Sequence, residues 1–302
     1  MTTAAPLREV TIATPYGELT GLRGGRGAPV LALHGWLDNA ASWIPLAAHL
    51  HDIDLVALDL PGHGRSPHLP EGAEYALAGT VLTVLDAADA LGWERFAVLG
   101  HSMGAAIGSI LAAAAPERVA RFLAIEALGA LADREDRTAQ RLRESVAARR
   151  ALPDKSLRVF ADRDAAIRAR MQANDLSEPV ARLLVERGTR AVDGGYVWSS
   201  DPRLTIATAV RMTEGQVHDL LAHIACPARV LYADPAPPYF PEALRRERAA
   251  LLPHGEVAVL AGTHHLHMED PGSVARAIGA FLADADTVPA NAVTASTPAP
   301  AR

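Results

Sequence analysis

Short apolar runs, each stopped by a glycine-rich turn and followed by a helix-periodic stretch, constrain this chain more than any other feature. "PVLALHG" (29–35), "DLVALDLPGHG" (54–64), "RFAVLGHSMG" (95–104) and "RFLAIEALG" (121–129) are near-continuous apolar runs, the habit of strands buried on both faces of a parallel sheet. Parallel strands need crossovers, and "AGTVLTVLDAADALGW" (78–93) and "GAAIGSILAAAAPERV" (104–119) carry the wide apolar stripe of crossover helices. The pattern predicts an α/β fold. Upstream, "REVTIATPYGELTGLRGG" alternates and breaks at Tyr16-Gly17, which predicts a β-hairpin.

From about 130 to 205 the alternation gives way to a charged, Arg-rich, helix-periodic stretch, read as an inserted helical lobe. The sheet pattern then resumes with a strand at 227–234, a helix near 242–252, a strand at 255–262 and an amphipathic helix at 271–285. The expected division is a core of residues 1–129 and 206–284, a lobe of 130–205 and a disordered Pro/Ala/Thr-rich tail of 285–302. A chain of 302 residues with 49% hydrophobic residues can bury one large core and such a lobe. A net charge of −6 without blocks of like charge argues against nucleic acid or an anionic membrane as partner. One cysteine, Cys226, excludes an internal disulfide framework and fits a reducing compartment. No signal-like N-terminus or long apolar window is present, so a cytoplasmic location is expected.

"LGHSMG" (99–104) holds the pattern G-x-S-x-G between an expected strand and an expected helix. A serine on that tight turn is forced into a strained backbone, so small residues must flank it, and Gly100 and Gly104 do. The turn also points the following helix N-terminus at the reaction centre, where it favours negative charge. Ser102 is therefore the expected nucleophile. The backbone N–H of Met103 is one expected oxyanion donor, and that of Trp36, in "LALHGWLDN", the other. His34 and His63 read as turn-stabilising rather than catalytic.

Taken in order, "HGW", "DLPGHGRS", "GHSMG" and "GTHHLHMEDP" resemble the α/β-hydrolase superfamily over roughly residues 8 to 284, with the lobe in the place of the superfamily's cap. "HGWLDNAASW", "VWSSDPRL" and "HHLHMEDP" are most similar to its serine hydrolase-like branch, near haloalkane dehalogenases and epoxide hydrolases. The resemblance implies a mostly parallel sheet of about eight strands flanked by helices, with a helical cap inserted after the sixth strand. It also implies a nucleophile, an acid and a histidine in chain order.

The usual acid is missing. Where the resemblance expects G-x-x-D after the strand that follows the cap, this chain has Ala233 and Ala236. Two carboxylates remain: Asp234, two residues early, and Glu126, 24 residues after Ser102, where some dehalogenase relatives carry theirs. Glu126 is favoured, because it ends a parallel strand beside the nucleophile strand, and a carboxylate there is costly unless paired. In the resembled superfamily the histidine stands five residues before a carboxylate and seven before a proline, which with Glu269 and Pro271 implies His264 as the base, with His265 as the one-residue-shift alternative and His267 on the helix approach. A metal site is not expected, since no second cluster of ligands lies at matching spacing. No cofactor is implied.

The expected activity is hydrolysis of a carboxylic ester on a small-molecule substrate, with an acyl-enzyme on Ser102. A lyase, C–C bond hydrolase or perhydrolase on the same triad is the alternative, and a non-catalytic ligand-binding protein on the same fold is an alternative of another class. A serine at 102 and Met103 after it disfavour dehalogenase chemistry, which the resemblance ties to an aspartate and an indole there. Trp198, Met171 and Tyr196 are the expected pocket residues, and the chain is expected to be a monomer or a homodimer.

Overall fold

The computed structural model describes residues 6–15, 17–152 and 158–283. In chain order the elements are β1 (Arg8–Thr14), β2 (Gly17–Gly25), β3 (Ala28–Leu33), α1 (Ile44–Ala47), β4 (Ile53–Leu58), α2 (Leu77–Ala90), β5 (Phe96–His101), α3 (Met103–Ala114) and β6 (Val119–Ile125). An inserted stretch follows, with α4 (Thr138–Ala151), α5 (Arg163–Asn174), α6 (Glu178–Gly188) and a hairpin of β7 (Thr189–Val192) and β8 (Gly195–Trp198). The chain then returns through α7 (Glu214–Ala222), β9 (Ala228–Asp234), α8 (Glu242–Ala249), β10 (Gly255–Ala261), α9 (Leu266–Glu269) and α10 (Pro271–Ile278).

Eight strands form one sheet in the order β1-β2-β4-β3-β5-β6-β9-β10. β1 and β2 pair antiparallel, as do β2 and β4; every later pair is parallel. The central strands alternate between two cores, one on each face. Leu31, Leu33, Phe96 and Val98 face α2, α3 and α7, while Val30, Ala32, Ala97 and Leu99 face α1, α9 and α10. Register brings the strand ends together at one edge: Leu33 pairs with Gly100, Gly100 with Ala124, and Ile125 with Leu231. Loops after β3, β5 and β6 therefore leave the sheet side by side, where α/β folds place their ligands.

The α/β architecture and the parallel sheet expected from the sequence are both present. Boundaries differ for local reasons. The helix expected over 104–119 stops at Ala114, since Ala115 precedes Pro116 and takes φ −136°, and the next strand starts early, at Val119. The helix expected to reach 285 ends at Ile278, where Gly279 adopts φ +53°. The inserted stretch is not wholly helical. "TRAVDGGYVW" pairs as β7 and β8, with Thr189 opposite Trp198 and Val192 opposite Gly195; its Asp-Gly-Gly turn is a hairpin signal hidden by charged helices on either side. Tyr16 of the first hairpin and the tail of 285–302 lie outside the described residues. Among the described residues no helix is long and apolar enough to cross a membrane.

Candidate active site

Ser102 sits between β5 and α3 with φ +51° and ψ −112°, a backbone that a side chain adopts only under constraint. Its N–H is held by the Ile125 carbonyl at 2.9 Å. The neighbours must be glycine for steric reasons. A Cβ on Gly104 would overlap the Leu33 carbonyl, and one on Gly100 would press on the Ala105 backbone. Five non-glycine residues among those described have positive φ, and three of them, Leu37, Ser102 and Glu126, follow β3, β5 and β6 at this edge.

Glu126 is 2% exposed and is fixed from three sides. Its Oε1 accepts from the Ala233 N–H at 2.6 Å, Arg245 on α8 donates to both oxygens at 3.0 and 3.2 Å, and Oε2 lies 3.2 Å from His264 Nδ1. The Tyr239 hydroxyl also lies 3.4 Å from that nitrogen. His264 leaves 30% of its side chain exposed, and that face opens on a cavity of about 870 Å³ which Ser102, Met103, Glu126 and Trp36 also line. Met103 is the first residue of α3, so its N–H is one that a helix leaves without an internal partner. The Trp36 indole spans the cavity rim to the Leu204 carbonyl at 2.9 Å.

The structure thus brings Ser102, His264, Glu126, Trp36 and Met103 to one cavity. Asp234 is left out: it is exposed, ends β9 and lines a different hollow with Tyr232 and Glu242. The expected pocket residues need correction. Trp198 packs edge-on against Phe160 at 5.2 Å, Met171 joins the same small core, and Tyr196 pairs with Phe160 beneath Arg163. They hold the inserted stretch together and are not among the residues lining the cavity. The roof comes instead from residues 203–212, with Leu131, Ser145, Arg149 and Asn174. Sequence reading missed "RLTIATAVRM" because it has neither helical nor strand periodicity.

His34 and His63 stabilise turns. Leu60 donates to His34 Nε2 at 3.1 Å, and His63 Nδ1 bonds the Pro61 carbonyl at 3.0 Å. Burial pushes His63 down to about 3, so the Pro61 carbonyl accepts from a neutral ring at neutral pH. A second buried group was not foreseen. His265 Nε2 lies 3.2 Å from Asp38 Oδ2, His101 Nδ1 lies 3.6 Å from the same oxygen, and Arg170 on α5 pairs with Oδ1. Burial opposes ionisation of Asp38, yet His265 and the Arg170 guanidinium hold its carboxyl well below the usual range. Burial also pushes His101 down to about 4, against the pull of Asp38. His267 packs 4.2 Å from His101, ring to ring. No short window of sequence shows this group, because Asp38 follows β3, His101 ends β5 and His265 follows β10.

Known proteins are similar to this chain over most of its length. Residues 28–271 match the family model described as "alpha/beta hydrolase fold". A human "Serine hydrolase-like protein 2" is 30% identical, covering 95% of this chain and 98% of its own. This chain belongs to the α/β hydrolase family. Within it, the serine hydrolase-like branch is the chain's own, with a zebrafish (Danio rerio) serine hydrolase-like protein 29% identical over 91% of this chain and 88% of that one. A hypothetical protein from Pseudomonas aeruginosa PAO1 has a crystal structure that is 40% identical, covers 91% of this chain and 99% of that chain, and superposes with a TM-score of 0.87. The protein is a hydrolase.

Proposed function

We propose that this hydrolase cleaves carboxylic esters through a Ser102–His264–Glu126 triad and an acyl-enzyme, on a small to medium acyl substrate. The observation that carries the reading is the buried Glu126 carboxylate 3.2 Å from His264 Nδ1, with that ring open to the cavity that Ser102 lines. With Glu126 accepting at Nδ1, the proton sits there and Nε2 is free to act as base. His264 takes the Ser102 proton as Oγ attacks the carbonyl carbon. The oxyanion is met by the N–H groups of Trp36 and Met103. His264 then protonates the leaving alcohol, and water repeats the sequence to release the acid.

Arg245 makes this acid unusual. It shares Glu126 with His264, so the carboxylate is fixed in place but part of its charge is already neutralised. The role left to Glu126 is chiefly to orient the ring. The cavity walls, Leu77, Ile107, Ile110, Val210 and Met212 among them, are apolar and suit an acyl chain. A cytoplasmic setting and a monomer or homodimer remain part of the proposal. A fluorophosphonate probe tests it: Ser102 becomes labelled and Ser102→Ala does not. Absence of label on correctly folded protein overturns the enzyme mechanism, and label without p-nitrophenyl ester turnover favours a lyase or perhydrolase.

A further inference from the structure

One cluster on the cavity wall has no part in the proposed triad. Asp38, His101 and His265, all buried, each offer one ligand-capable atom, and these atoms lie within 4.8 Å of one another. His101 fixes its own tautomer. Its Nε2 is 2.8 Å from the His264 carbonyl oxygen, which can only accept, so the ring proton is on Nε2 and Nδ1 presents a lone pair. That lone pair faces Asp38 Oδ2 at 3.6 Å, and neither group can donate to the other. Among the described residues His101 Nδ1 is a buried nitrogen without a hydrogen-bond partner. Two acceptors buried side by side are relieved by a bridging cation. Gly35 leaves the room for one: a Cβ there would stand 2.9 Å from His101 Nδ1 and 3.0 Å from Asp38 Oδ2. Gly35, Asp38, His101 and His265 all line the cavity, so an ion has a path from solvent.

We propose that Asp38, His101 and His265 form a site for a divalent transition-metal ion of the zinc, cobalt or nickel kind, whose occupancy reversibly inhibits the hydrolase. Two imidazoles and one carboxylate suit these ions better than magnesium or calcium, which favour all-oxygen shells. Asp38 Oδ2, His101 Nδ1 and His265 Nε2 supply three ligands, and the fourth position opens on the cavity. Arg170 stays on Asp38 Oδ1 as the outer partner that orients the carboxylate. His265 shifts its proton from Nε2 to Nδ1, a buried nitrogen with no partner to lose, so no proton leaves the ring. Inhibition follows from position. The ion lies beside Gly35, next in the chain to the proposed oxyanion donor Trp36, and its open position competes for the substrate carbonyl.

Cobalt is the probe, because a four-coordinate Co²⁺ site absorbs visible light strongly. Chelator-stripped full-length protein titrated with Co²⁺ should bind one equivalent with that band, and Ser102→Ala should do the same, which separates binding from the proposed catalysis. His265→Ala should weaken binding by more than about 100-fold, beyond what loss of an outer-shell partner costs. His265→Gln, which can still donate to Asp38, is the second variant and should lose the band too. Zn²⁺ should inhibit ester hydrolysis by the wild type and not by His265→Gln. No band at millimolar cobalt, a band that survives in both His265 variants, or a band lost only in His264→Ala would overturn the site. Equal zinc inhibition of wild type and His265→Gln would overturn its inhibitory role.

Discussion

Two carboxylate–histidine pairs stand beside Ser102, built from the same parts. Glu126 meets His264 and Arg245; Asp38 meets His265 and Arg170. The histidines are neighbours in the chain, so one residue of register separates them. What differs is the third side of each ring. His264 leaves 30% of its side chain open to the cavity, whereas His265 leaves 4%. Their arginines differ too, since Arg245 belongs to a core helix and Arg170 to a helix of the inserted stretch. A buried carboxylate with a histidine and an arginine is thus not catalytic machinery by composition. On the proposed reading it becomes so where the ring opens on the cavity, as His264 does, while the Asp38 pair ties a helix of the inserted stretch to the core.

Mutations should separate the pairs. Glu126→Gln, which reverses the tautomer preference of His264, should lower kcat by roughly four orders of magnitude with little change in the far-ultraviolet circular dichroism. Asp38→Asn should do the opposite. It leaves the mostly buried Arg170 side chain without its counter-charge, so urea unfolding should show a loss of up to about 3 kcal/mol, while kcat of the folded fraction falls by less than about tenfold. A reversed ranking would break the distinction between an open pair and a fastening one.

Acid should also act on the buried side. His63 is neutral in the fold until about pH 3, whereas an unfolded histidine takes its proton near pH 6.5. The unfolded state therefore binds more protons in between. Stability from this residue is fully present above about pH 6.5 and is lost as pH falls, by roughly 3 kcal/mol near pH 4. His63→Gln should flatten that slope in thermal melts. The smallest effect belongs to Asp234→Asn, at the exposed end of β9, where kcat should stay within about twofold.

The strained turn at Ser102 was legible because its constraints are local: two glycines and a strand–helix junction fit in one pentapeptide. The choice between Glu126 and Asp234 was only half legible. Both end strands in sequence, but which one meets His264 depends on how β6, β9 and the loop after β10 lie in register, and no short window encodes that. His265 and Asp38 were illegible as partners for the same reason, being 227 residues apart. The pocket failed differently. Trp198, Met171 and Tyr196 are the large side chains a reader expects in a pocket, yet a small inserted unit needs its own core and used them there.

The clasp between Arg187 and Asp59 has a consequence for traffic. Arg187, on α6, meets both oxygens of a fully buried Asp59 at 3.0 and 2.9 Å, and Asp59 also takes the N–H groups of Ala40 and Arg65. With Arg170 on Asp38, two buried ion pairs rivet this flank of the roof. Lifting it would strand four charges, a cost of several kcal/mol that thermal motion rarely meets. Comings and goings then fall to residues 204–211, between Arg203, which is bonded to Asp201 and the Leu69 and Pro70 carbonyls, and Met212, which is bonded to Asp133; here Val210 is 70% exposed and the Trp36 indole holds Leu204. The enzyme would measure its substrates at a doorway with one fixed jamb.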